Sequence, residues 1–381
     1  MAANLTLLTL FMQDSDMRKI VKPIAFILIC LLAFGELNNI FLPKYYYTNS
    51  TWPTTSTIDG FYKMDKNTVD VIYLGSSVCV NEFSPQEIYN KYGIRSFNLG
   101  SEQQDIMASY FWLCEALRFQ KPQVVVLDTK FLFAERHSPD MPEGLLRKCM
   151  DPMKWSYVKR NAINEICTLY PDQSKLSYYL TNFRFHTRWK ESTKQDINPT
   201  MVNHCELKGY SPSTDNGPES FIPYVHKDNK VEVQMSDVEK QYLDRIAELC
   251  NENNMRLILT TIPAYEDWTN ADRQSLWDGM TNVMDKYCDE HRNASYINLM
   301  EKDVYTVINP ELPKEDIFEH GNLWGSIKLS DYLGNVLKQD YKVKSINDPQ
   351  YEETKSFYQS VIDCANNGQG YYDFLTGTVA Q

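Results

Sequence analysis

Five short apolar runs, separated by stretches of helical periodicity, leave few folds open to this chain. They are VDVIYLG (69–75), IRSFNLG (94–100), PQVVVLDT (122–129), MRLILTTIP (255–263) and SYINLM (295–300). Strands that are apolar throughout, rather than alternating, are buried on both faces, as in a parallel sheet. The intervening segments carry helix signals. Ser84-Pro85-Gln86-Glu87 supplies an N-cap, a first-turn proline and a capping-box glutamate, and Gly93 ends that helix. ASYFWLCEALRF (108–119) reads as the second helix. Ser236-x-x-Glu239 opens a helix whose inner face is Val238, Tyr242, Ile246 and Leu249. Leu276, Trp277, Met280, Val283, Met284 and Tyr287 stripe the next, and residues 326–339 form the last, with Leu329, Leu333 and Val336 inward. This alternation predicts an α/β fold: a three-layer, doubly wound, flavodoxin-like five-stranded parallel sheet. Residues 130–235 break the pattern and read as a large, mostly helical insertion after strand three, over the sheet edge that carries function.

Ahead of the α/β domain, residues 20–42 are apolar and follow Arg18, Lys19 and Lys22. The uncharged run from Pro23 to Gly35 is too short to span a bilayer. Extending it to Leu42 reaches the required length but takes in Glu36, Asn38 and Asn39, which must snorkel or find a partner. The expectation is a single-pass anchor, with residues 1–19 cytoplasmic and the remainder outside the cell membrane, as the Lys/Arg bias directs. A signal peptide cleaved at Ala33-x-Gly35, or a core helix, are the other readings. Residues 43–67 read as a spacer, 68–344 as the α/β domain, and 345–381 as a surface helix and polar tail.

A net charge of −12, with no clustered Lys/Arg face, argues against nucleic acid as a partner. Nine cysteines, without a C-x-x-C pair or zinc spacing, suggest neither a metal site nor a disulfide framework. No cofactor or metal is expected.

Gly75-Ser76-Ser77 follows the first strand directly, at the edge where such sheets bind ligands. The tripeptide is either a plain strand-to-helix turn or the seat of a nucleophile, Ser77. His320 precedes the last helix, with Asp316 four residues earlier and Glu319 adjacent, a setting suited to a general base and its orienting carboxylate. Cys79 reads as buried rather than as a rival nucleophile, and Asp128 as a structural carboxylate. Glu102 and Gln103 either line a pocket or begin a helix. Arg184, His186, Arg188 and Trp189 form a polar-aromatic cluster that either binds a sugar or acidic polymer or pins the insertion down.

These blocks resemble the SGNH (GDSL-like) hydrolases, in particular a membrane-anchored extracellular branch that includes D-alanyl-lipoteichoic acid biosynthesis and alginate O-acetylation proteins. Gly75-Ser76-Ser77 is similar to that branch's first block, FNLGSEQQDI (97–106) to the second, and His320-x-Asn322-x-x-Gly325 to the last. The resemblance covers roughly 68–130 and 236–340; NFRFHTRWK (182–190) and Lys208-Gly209-Tyr210 look like elements of related proteins. It implies Ser77 as nucleophile, His320 as base, and the Ser77 and Gly100 amides as oxyanion donors. Two positions depart from the family. Ile317 stands where the aspartate is usual, leaving Asp316 or Glu319 to serve, and LDTKFLF replaces the Gly-x-Asn-Asp block.

The implied function is an extracellular serine esterase or O-acyltransferase. Its substrate would be acyl esters of an envelope polysaccharide or teichoic acid-like polymer, with a membrane-bound acyltransferase as a further implied partner. The alternative is a non-catalytic glycan- or partner-binding member of an envelope acylation complex. A flavodoxin-like cofactor binder fits the topology but lacks a phosphate-cradling glycine run.

Overall fold

In the computed structural model, residues 15–43, 54–134, 143–191, 207–214, 222–227, 229, 231–263, 266–308 and 320–370 are described. The five apolar runs form one parallel sheet: β1 (Val71–Leu74), β2 (Ser96–Asn98), β3 (Val124–Asp128), β4 (Arg256–Thr261) and β5 (Ala294–Asn298). Its order is β2-β1-β3-β4-β5. The fold is thus α/β with an all-parallel sheet, in an arrangement consistent with double winding. β1, β2 and β3 are buried at every position, which their unbroken apolar character requires.

The capped helices form where the sequence puts them. Ser84 Oγ accepts from the Glu87 amide at 3.3 Å, and Gly93 closes the Pro85–Tyr92 helix with φ +67°. Ser236 caps Asp237–Glu252 in the same way. One face of the sheet, with Val71, Tyr73, Val124, Val126 and Ile258, shares a core with Ile88, Leu329, Leu333 and Leu337 of the Pro85–Tyr92 and Leu323–Gln339 helices.

Three segments differ from expectation. Within the expected spacer, Thr54–Lys63 is helical, and its Phe61 is 1% exposed and set edge-on to Phe97 at 5.4 Å. Where a surface helix and a polar tail are expected, the chain has the helices Pro349–Glu352 and Lys355–Asn366, and they are not confined to the surface. There Tyr351 is buried, stacks on Tyr89 at 4.8 Å, and donates to the Ser96 carbonyl at 2.9 Å, so this region completes the fold. Residues 77–82, between the expected turn Gly75-Ser76-Ser77 and the helix capped by Ser84, form a further six-residue helix.

The chain divides into two compact units, residues 1–44 with 173–200, and residues 45–172 with 201–381. The expected insertion is therefore shared between them. The first unit contains the helix Ser15–Phe41. Its Lys19–Asn38 stretch has a mean hydropathy of 2.2, and none of its described side chains is buried. One helix of this length and composition can cross a membrane, and a signal sequence has the same character.

Candidate active site

β1 has β2 on one side and β3 on the other, so the crossovers leave its carboxyl end in opposite directions. That makes it the switch point where open α/β sheets form ligand crevices. The pairing Leu74↔Leu127 sets Asp128 just beyond the end of β1. Asp128 Oδ2 accepts from Ser76 Oγ at 2.6 Å and from the Ser76 amide at 3.1 Å; Oδ1 accepts from the Lys130 amide at 2.8 Å. Asp128 is the structural carboxylate expected of it. Burial pushes its pKa up, while these donors and Lys130 pull against that shift.

The same carboxylate explains Gly75. Its φ is +143°, and a Cβ there would lie 2.4 Å from Asp128 Cβ. Only glycine fits, and the turn it makes delivers Ser77 to the first position of the helix Ser77–Glu82.

Ser77 Oγ and His320 Nε2 are 2.8 Å apart, across 243 residues of sequence. This is hydrogen-bond reach for a nucleophile and its base. The two sides are braced by a segment within the insertion. Asn98 donates its amide to the Lys208 carbonyl at 2.9 Å, Ser211 to Val80 at 3.1 Å, and Leu323 to Ser213 at 2.8 Å. Residues 207–214 thereby join the serine helix, β2 and the helix that follows His320.

Two further residues escaped the sequence reading. Glu82 is fully buried, and its Oε1 accepts from the amide of Gly321, the neighbour of His320. Burial raises its pKa to about 8, with the Gly321 amide and Lys130 opposing. Its Oε2 has no hydrogen-bond partner among the described residues. A lone acid inside the apolar run VCVNEF was the available signal. Asn98, at the end of β2, donates through Nδ2 to the Cys79 carbonyl at 2.7 Å and the Phe83 carbonyl at 3.1 Å. It ties the serine helix to the sheet.

The remaining candidates fall as follows. Gly100 lies beside the turn, since Ser101 donates to the Gly75 carbonyl at 3.0 Å. The Gly100 amide itself donates to Asn98 Oδ1 at 3.0 Å. Offering that amide to an oxyanion would require Asn98 to release it. Cys79 is fully buried, and its thiol pKa is pushed well up by desolvation. Glu102 pairs with Lys148. Asp316, Ile317 and Glu319 lie outside the described residues. Arg184, His186, Arg188 and Trp189 belong to the first unit, whereas Ser77 and His320 belong to the second.

Beside the serine turn is a cleft of about 260 Å³, lined by Val78, Phe131, Ile262, Trp277 and Met280 with Lys130 at its wall. Fold and site together define a class: a parallel α/β protein with a serine–histidine pair at the sheet's switch point. No protein-family model matches the chain, and no curated protein matches it significantly.

Proposed function

We propose that the protein is a membrane-anchored, extracytoplasmic serine esterase or O-acyltransferase of the SGNH type. Its substrates would be acyl esters of a cell-envelope polysaccharide or teichoic acid-like polymer. The observation that carries this reading is the 2.8 Å contact between Ser77 Oγ and His320 Nε2. A turn of serines alone would not require a histidine from the far end of the chain at that hydroxyl.

In the proposed reaction, Ser77 Oγ attacks the ester carbonyl while His320 Nε2 takes its proton. The tetrahedral intermediate collapses, His320 returns the proton to the departing alcohol, and an acyl-serine remains. Water or a sugar hydroxyl then attacks that ester, again losing its proton to His320, and Ser77 is regenerated. The amide of Ser77, in the first helical turn, has no carbonyl one turn earlier to bond and is available to the oxyanion. Glu82 and Asn98 act as positioning residues: one fixes the backbone beside His320, the other the helix that carries Ser77. The apolar cleft beginning at Val78 is suited to a short acyl chain. Asp316 or Glu319 would orient His320.

The unburied apolar helix supports anchoring, since a core helix would bury one face. The basic residues before it direct its amino terminus to the cytoplasm. Attachment to a membrane favours a polymeric or lipid-linked substrate over a diffusing metabolite.

One observation favours the second reading, a non-catalytic glycan- or partner-binding subunit: the engagement of the Gly100 amide by Asn98. A single experiment separates the two. Full-length protein in detergent is treated with a fluorophosphonate probe or an aryl acetate, beside Ser77→Ala. Labelling and turnover that vanish in the variant support the enzyme; equal signals in both, or none in either, favour the binding subunit.

A further inference from the structure

Between Lys175 and Lys190 the chain carries four basic side chains, Lys175, Arg184, Arg188 and Lys190, and no acidic one, although the whole protein has a net charge of −12. The same stretch turns large apolar side chains outward: Leu176 is 49% exposed, Phe183 58% and Trp189 63%. It folds as two short helices and a 3-10 turn, Lys175–Tyr179, Asn182–Phe185 and His186–Lys190. Lys175, Arg184 and Lys190 are exposed as well, Arg184 over the Phe185 ring and Lys190 over the Trp189 ring.

What the segment does bind is the end of the apolar helix. Asn38 Oδ1 accepts from Thr181 Oγ1 at 2.6 Å and from the Asn182 amide at 2.9 Å. Asn182 Nδ2 donates to the Phe34 carbonyl at 3.3 Å, and Arg188 to the Phe41 carbonyl at 2.7 Å. These contacts give Asn38, a polar residue the span would otherwise bury, its partner. They also fix the level of the segment. The apolar stretch Lys19–Asn38 is 20 residues long, and at about 1.5 Å per residue it is about as long as the hydrocarbon core is thick. With Lys19 at one boundary, Asn38 falls at the other, where headgroups begin. Aromatic side chains concentrate at that depth, and basic side chains there meet lipid phosphates.

We propose that Lys175–Lys190 is a membrane-interface collar. It seats Leu176, Phe183 and Trp189 in the acyl boundary of the bilayer its own helix crosses, and presents Lys175, Arg184 and Lys190 to anionic phospholipid headgroups. The proposal rests on the anchor reading above and gives Arg184 and Trp189 a lipid role in place of a glycan one. A glycan would use aromatic faces with polar partners; the outward aliphatic Leu176 gains little from a sugar and gains burial from hydrocarbon.

The test uses the full chain in nanodiscs of phosphatidylcholine and phosphatidylglycerol, with acyl chains brominated near the headgroup, as wild type and Trp189→Phe. Bromolipid quenches part of the wild-type tryptophan emission, and most of that quenched part disappears in the variant. Equal quenching in both proteins, after subtraction of the scaffold protein's own emission, overturns the collar; because no partner protein is in the disc, a surface reserved for a protein partner gives that same result. In Arg184→Glu/Lys190→Glu, with Trp189 retained, quenching loses its dependence on the phosphatidylglycerol fraction, and an unchanged dependence overturns the headgroup contact. Alkaline extraction from vesicles keeps the two readings distinct. Wild type released at high pH ends the anchor and the collar together, whereas wild type retained without Trp189-dependent quenching ends the collar alone.

Discussion

The carboxyl edge of β1 and the Lys175–Lys190 segment are both dense in polar and aromatic residues, yet they resolve that density in opposite ways. At the sheet edge the polar groups turn inward and satisfy one another: Asp128 holds Ser76, Asn98 holds the Ser77–Glu82 helix, and Glu82 holds Gly321. In the segment, polar groups secure the Asn38 side chain and the Phe41 carbonyl of the apolar helix, and large apolar side chains are left outward. Inward satisfaction fixes a geometry, as chemistry at a single atom requires. Outward apolar surface fixes nothing by itself and gains only when something covers it. Burial direction, rather than residue type, separates the two proposed roles.

The sharpest way to break this contrast is at the serine. Ser77→Ala or His320→Ala should lower esterase turnover by about 10⁴-fold or more, since nucleophile and base act as one unit. Initial rates on an aryl acetate, with the two single variants and the double, would check it; losses that multiply in the double would contradict a paired function.

Next in size is Gly75→Ala. A methyl group 2.4 Å from Asp128 Cβ, on a backbone at φ +143°, adds overlap to conformational strain of about 1–3 kcal/mol. The melting temperature should fall by several degrees, and Asp128→Gly in the same chain should recover part of it by vacating the space. No recovery would mean that the backbone angle alone is responsible.

A smaller effect is a pH dependence. Glu82 holds its proton in the folded state up to about 8, against an ordinary value of 4.5. Over that interval the native state binds more protons than the unfolded one, so stability should decline as pH rises from about 4.5 to about 8. Asp128 and Asp151, also raised by burial, act with the same sign and persist in a variant. Glu82→Gln should therefore reduce the decline without abolishing it, and its melting temperature should gain on wild type with each step toward pH 8. Parallel curves would mean that Glu82 ionises freely in the fold.

The smallest test sharpens the other region. Asn38→Ala removes the acceptor for Thr181 Oγ1 and the Asn182 amide, each bond worth about 1 kcal/mol. Global unfolding should barely move, while proteolytic nicking within 173–200 should become faster. A nicking rate equal to wild type would mean those bonds do not hold the segment.

The sequence by itself determined the sheet and most of its helices. Unbroken apolar runs can be buried only on both faces, and capping residues act on amides two or three positions away, so both signals are local. Gly75 was legible as a turn for the same reason. Only the tertiary structure could show that a histidine meets that turn. The Ser77–His320 contact spans 243 residues, and the Glu82 bond to Gly321 spans 239, distances over which no periodicity or spacing rule operates. The helix at Thr54–Lys63 and the burial of the tail helices were likewise hidden, because their few apolar residues acquire meaning only against Phe97 and Tyr89. Local chemistry writes the elements; which elements meet is set by how a parallel sheet orders its strands.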